Sequence, residues 1–251
     1  MIKLLVANWK LYVSRPQQAL KLISSTARAS KNVQADIVLC PPAPWLSFVH
    51  NALGSKHKNI SLGAQDIFWE NQGAFTGAFG PQIIKAYGVK YVIVGHSERR
   101  RIFKETDEVV AKKLQAALRA GLHAILCVGE TARKDFWKRD LLKQLRNSIK
   151  GLTRQQLNKL IIAYEPVWAI GTGKADTPQD ALESIIEIRR AIFKKFGKAA
   201  SLKVKILYGG SVNAKNTYSF LTKSGIDGAL IGKASTNAKE FSRIVSTVGK
   251  I

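Results

Sequence analysis

The chain has very little cysteine, no long apolar run, no flexible linker and few acidic residues, and each shortage narrows what it can be. Its two cysteines, Cys40 and Cys127, each end a short apolar run, Ile37-Val-Leu-Cys40 and Ala124-Ile-Leu-Cys127. They read as buried thiols, which excludes a disulfide-stapled scaffold, and no spacing of cysteine with histidine suggests a metal. No apolar stretch approaches the roughly 20 residues that cross a bilayer. The apolar start, Met1-Ile-Lys-Leu-Leu-Val-Ala-Asn8, is too brief for a signal sequence and runs into a strand-like pattern, so a soluble, cytoplasmic protein is expected. Without a Gly/Ser/Pro-rich divide, residues 1–251 are expected to form a single domain.

The shortage of acid is the largest imbalance: 17 Asp and Glu stand against 40 Lys and Arg, a formal net charge of +23. Such a field attracts anions. Nucleic acid, acidic lipid headgroups and phosphorylated metabolites all qualify, and charge by itself does not choose among them.

What the chain does have is repetition. Short runs rich in Val, Ile and Leu recur about every thirty residues, each followed by a longer amphipathic stretch, the pattern of repeated βα units around a parallel sheet. Strands are expected at 3–8, 36–40, 60–65, 91–94, 124–128, 160–164, 204–208 and 228–231, and helices at positions such as 16–29, 105–120, 136–150, 178–196 and 239–248. Thr177 and Pro178 mark the start of the longest helix, Thr as an N-cap and Pro where its missing donor costs nothing. The G-x-G-x-x-G fingerprint of an open doubly wound sheet is missing. Eight units in this length therefore predict a (β/α)8 barrel, eight parallel strands enclosed by helices, with its chemistry at the strands' C-terminal ends.

Those ends carry Asn8-Trp-Lys10, Gly95-His-Ser-Glu98, Gly129-Glu130, Glu165-Pro166, Gly209-Gly-Ser211 and Gly232-Lys233. Taken singly, Glu165 could be an ion-paired buried carboxylate, His96 a structural imidazole and Lys10 a cation balancing Glu98. Together on three strand ends they supply a base, an imidazole and a fixed cation, the inventory for moving a proton next to a carbonyl. Glycines after the last two strands can present N–H groups to an anion, where barrels often bind phosphate; a phosphate ester is the expected ligand. The connection from Glu165 to Pro178 is long and carries Val167, Trp168 and Ile170 with glycines at 171 and 173. It reads as a lid that excludes water.

Six segments, in order along the chain, resemble the signatures of the triosephosphate isomerase family. They are Asn8-Trp-Lys10, Ala74-Phe-Thr-Gly77, Tyr91-Val-Ile-Val-Gly-His-Ser-Glu-Arg-Arg100, Cys127-Val-Gly-Glu130, Ala163-Tyr-Glu-Pro-Val-Trp-Ala-Ile-Gly-Thr-Gly-Lys174 and Tyr208-Gly-Gly-Ser-Val212. The resemblance implies an isomerase of triose phosphates without metal or organic cofactor. Glu165 is then the base, neutral His96 polarises the carbonyl, and Lys10 supplies positive potential. Asn8 orients the substrate, Glu98 pairs with Lys10, and backbone N–H groups of Gly171, Ser211, Gly232 and Lys233 hold the phosphate. Tyr208 secures the lid, and Ser97, Trp168 and Cys127 support the site. The loop around Thr76 resembles the one that reaches into a neighbouring subunit, so a homodimer is implied.

Two positions depart from the family's pattern: Lys233, commonly glycine, whose φ must be negative or strained, and Asp176, commonly alanine. The basic clusters Arg99-Arg-Arg101, Lys138-Arg139, Arg189-Arg190 and Lys194-Lys195 motivate a second reading, a nucleic-acid or membrane-surface binder on a retired barrel. They lie on expected outer helices without interleaved aromatics, so a solvated basic surface is the plainer account, with no specific nucleic acid or membrane partner.

Overall fold

In the computed structural model, which describes residues 2–55, 57–133, 136–170 and 176–251, eight parallel strands close into a barrel in sequence order. They are β1 (Lys3–Asn8), β2 (Ala35–Cys40), β3 (Ile60–Ala64), β4 (Tyr91–Val94), β5 (His123–Val128), β6 (Leu160–Tyr164), β7 (Lys205–Tyr208) and β8 (Gly228–Ile231). β1 pairs with both β2 and β8, which shuts the sheet on itself.

Among the described residues ten helices surround the barrel. They are α1 (Pro16–Ser30), α2 (Leu46–Leu53), α3 (Pro81–Ala86), α4 (Ser97–Ile102), α5 (Asp107–Arg119), α6 (Trp137–Ser148), α7 (Pro178–Phe196), α8 (Lys198–Lys203), α9 (Thr217–Leu221) and α10 (Ala238–Val248). α7 begins as its sequence predicts, with Pro178 in its first turn and the Thr177 hydroxyl accepting the Asp180 N–H at 3.0 Å. Two starts fall later than expected, and α10 begins one residue earlier, at Ala238. α5 begins at Asp107, because Thr106 caps it and Glu105 is drawn instead into an ion cluster with Lys113 and Arg99. Phe136 precedes α6 in a left-handed conformation, φ 69°, and so cannot be helical.

The period of two along each strand divides the core. Leu5, Ala7, Val92, Val94, Ile162 and Ile206 face the helices. Leu4, Val6, Ile93, Ile125, Cys127, Ile161, Ala163, Leu207 and Leu230 fill the barrel. Continuing the inward parity past the strand ends leads to Asn8, Gly95, Glu165, Gly209 and Gly232. The alternation that packs the core thus also aims these positions into the barrel mouth.

Candidate active site

The mouth holds a cavity of about 580 Å³ lined by residues that include Asn8, Lys10, His96, Ser97, Glu98, Glu165, Ser211, Gly232 and Lys233. Nine of the positions singled out in the sequence therefore share one space. Gly171 lies outside the described residues, as does the part of the expected lid from 171 to 175. Trp168, Tyr208 and Cys127 are not among the residues that line it.

Glu165 is buried, and both of its oxygens are occupied: Oε2 accepts the Ser97 N–H at 2.8 Å, and His96 Nε2 lies 3.0 Å from Oε1. His96 caps α4, its Nδ1 accepting the Glu98 N–H at 3.2 Å. A nitrogen that accepts carries no proton, so the proton sits on Nε2 and the imidazole is neutral, with its one N–H turned to Glu165. The Cys127 thiol lies against the same carboxylate, and burial first, then the Glu165 charge, hold it firmly protonated. Its part is to pack beneath the base.

Lys10 is held under strain. Its φ of 47° is left-handed, a conformation that a long side chain avoids. Its N–H donates to Asn8 Oδ1 at 3.0 Å, and the Gln65 amide donates to the Lys10 carbonyl at 2.9 Å. Nζ reaches Glu98 Oε1 at 2.7 Å, the expected pair. Burial alone would raise the Glu98 carboxyl, but the hydrogen bond and charge of Lys10 outweigh it and hold the group below its usual range. Gly232 packs beside this ammonium, where an added Cβ would lie 3.2 Å from Lys10 Cε and displace the flexible end of that side chain. Lys233 is not strained: its φ lies outside the left-handed region, and it opens a 3-10 turn over Lys233–Thr236.

Several supporting residues were given no role from the sequence. Gln65 is one. Glu130 is another, buried, with Oε1 accepting the Tyr164 hydroxyl at 2.7 Å and the Trp168 indole N–H at 3.0 Å. Its backbone carbonyl accepts the Val167 N–H at 3.1 Å, and a Cβ on Gly129 would collide with the Glu165 carbonyl. The segment after β5 thus grips the backbone on both sides of Pro166. Glu130 and Gly129 stand at a strand end, a signal that could have marked them; nothing local marks Gln65. The Ser211 hydroxyl donates to the Ala169 carbonyl at 3.1 Å, tying the phosphate-side loop to the start of the β6–α7 connection. Tyr208 stacks on Phe220 at 4.1 Å with its hydroxyl beside the Asp176 backbone. Asp176 is itself buried, and neither carboxyl oxygen has a hydrogen-bond partner. Burial first, with Asp180 and Glu130, outweighs the pull of Arg133 and of the adjacent Thr177 backbone and pushes its pKa up to about 6.

A polarised proton-transfer pair, a fixed cation and a glycine-lined anion pocket form a site for proton transfer next to the carbonyl of a phosphate ester. Comparison with known proteins agrees with this geometry. The triosephosphate isomerase family model matches residues 3–248. Triosephosphate isomerase of Caldanaerobacter subterraneus subsp. tengcongensis is 46% identical over 97% of this chain and 98% of its own length. That of Carboxydothermus hydrogenoformans is 44% identical over 96% of each, and that of Clostridium perfringens 42% over 97% and 98%. With matches of this extent and a barrel mouth built in this way, the chain belongs to the triosephosphate isomerase family.

Proposed function

We propose that Glu165, His96 and Lys10 carry out the family's reaction here, the interconversion of dihydroxyacetone phosphate and glyceraldehyde 3-phosphate, in a single domain of residues 1–251. Glu165 takes the proton from the carbon beside the carbonyl, the C–H pair becomes the double bond of an enediolate, and the carbonyl pair moves to oxygen. When substrate binds, the His96 Nε2–H exchanges Glu165 for that oxygen, with the Lys10 ammonium beside it, where charge develops. Glu165 returns the proton to the neighbouring carbon. His96 moves protons between the two oxygens, and Asn8 orients the substrate. The N–H groups of Gly171, Ser211, Gly232 and Lys233 take the phosphate, while Tyr208, Trp168, Ser97 and Cys127 keep the wall in place. The route draws only on the chain's own groups.

The observation that carries this reading is the 3.0 Å approach of the His96 N–H to a buried Glu165 carboxylate inside the cavity that Lys10 lines. A coupled assay with glyceraldehyde 3-phosphate tests it. A folded sample without turnover returns the basic surface to the foreground.

The enzyme is read as a cytoplasmic homodimer joined through the loop around Thr76. Apolar side chains near that loop and the first βα turn stand in water, with Leu11 90% exposed and Phe75 45%. A cavity of about 510 Å³ beside the loop is lined by Trp69, Thr76 and Phe79 and suits an inserted side chain from a second copy. Sedimentation at micromolar concentration checks this; a monomer there removes it. Among the described residues no helix is long and apolar enough to cross a membrane.

A further inference from the structure

One basic residue that lines the mouth, Lys233, has no ion-pair partner among the described residues. Three cations and three carboxylates line the catalytic cavity among the described residues: Lys10, Arg101 and Lys233 against Glu98, Glu165 and Glu240. Most are already engaged. Lys10 is bound to Glu98, Arg101 bears on that same carboxyl, and Glu240 accepts the Ala214 N–H at 2.8 Å. Lys233 is exposed, and no carboxylate among the described residues pairs with it. It follows Gly232 directly and lines the same cavity as Ser211 and Gly232.

With His96 neutral, the described lining sums to zero charge, and removing Lys233 would leave it at −1. A phosphate monoester brings nearly two negative charges into that space. Backbone N–H groups offer it partial charges only, whereas an unpaired ammonium one residue beyond Gly232 offers a full one. The backbone permits this at no cost. A side chain at position 232 would crowd Lys10, whereas position 233 has an ordinary φ and carries a side chain without strain.

We propose that the Lys233 side chain is a phosphate-binding group of this enzyme, its ammonium pairing with the dianionic ester while the backbone N–H groups orient it. This rests on the isomerase reading for the identity of the ester, but not for the anion site. Lys233 binds the non-reacting end of the substrate, so its contribution is made to ground state and transition state alike.

The test compares Lys233→Met with Lys233→Arg, both of which keep the backbone N–H. Binding of inorganic phosphate, followed by calorimetry, is expected to weaken about tenfold in Lys233→Met and to stay within about threefold in Lys233→Arg. KM for glyceraldehyde 3-phosphate should rise with the same pattern, the loss falling on KM rather than kcat. Equal phosphate affinity in the wild type and Lys233→Met would overturn the proposal, as would a loss in Lys233→Arg as large as in Lys233→Met. A wild type that bound phosphate through Lys233 but turned nothing over would sink the isomerase reading and leave this site standing.

Discussion

Two buried carboxylates bound the connection from β6 to α7, and their surroundings are opposite. Glu165 is met by the Ser97 N–H on one oxygen and by His96 on the other. Asp176, also buried, is faced by Asp180 and Glu130, with Arg133 and the adjacent Thr177 backbone in opposition. A buried carboxylate with donors stays charged and fixed; one without them weakens the fold whenever it ionises. The difference separates a charge that serves the chemistry from one that the fold merely tolerates.

The largest expected effect tests the first half of that contrast. Glu165→Asp keeps the charge but withdraws it by one methylene, about 1 Å, from Ser97 and His96 and from the proton it must take. We expect kcat to fall about a thousandfold, about 4 kcal/mol, with thermal stability little changed. Near-normal kcat in that variant removes Glu165 as the base.

The second half is tested by pH. In the unfolded chain Asp176 titrates near the ordinary aspartate value, while in the fold its pKa is about 6. The folded state therefore holds the proton more tightly. Below both values the carboxyl is neutral in both states and costs nothing; stability is lost as pH rises from about 4 through 6, and the full penalty is present above. A shift of about two units corresponds to about 3 kcal/mol. Asp176→Asn should therefore gain about 3 kcal/mol on the wild type between pH 4 and pH 8, read from denaturant unfolding at each pH. A gain independent of pH would mean that Asp176 finds a partner in solution.

The same contrast shows what could be read along the chain and what could not. The eight strands were legible because a buried parallel strand is a dense run of Val, Ile and Leu, and their observed bounds lie within one residue of expectation. Short helices such as α3 and α9 were not, since five or six residues complete too few turns to show a periodic face. Asn8, Lys10 and Glu165 were legible as polar residues where a strand's inward parity meets the mouth, and His96 as one just past the end of β4. Gln65 and Glu130 were not named for the site because their roles lie in contacts across the barrel end, with the Lys10 carbonyl and with Tyr164 and Trp168. The composition at Asp176 was visible, but its burial without a donor was not, because nothing local removes a carboxylate from water.

A smaller effect concerns what Asp176 does to turnover. The Asp176 backbone lies at the Tyr208 hydroxyl, a contact that alanine would supply as aspartate does. Asp176→Ala should change kcat less than about tenfold, below 1.4 kcal/mol, despite its larger effect on stability. A greater gain would tie the orphan carboxylate to the chemistry and erase the contrast with Glu165.

The smallest expected effect distinguishes buried charge from surface charge by salt. The penalty at Asp176 arises first from lost hydration inside the protein, where mobile ions do not reach, so the stability gain of Asp176→Asn at pH 8 should be nearly the same at low and high ionic strength. The +23 field acts through water, and screening it should slow capture of a doubly negative triose phosphate. Between about 0.01 and 0.2 M salt, kcat/KM should fall severalfold while kcat hardly moves, since bound substrate no longer depends on encounter. Weak nucleic-acid binding that disappears over the same range is the expected companion of such a surface. Duplex binding that persisted near physiological salt, with kcat/KM indifferent to ionic strength, would show that the basic surface serves a polyanion rather than the substrate.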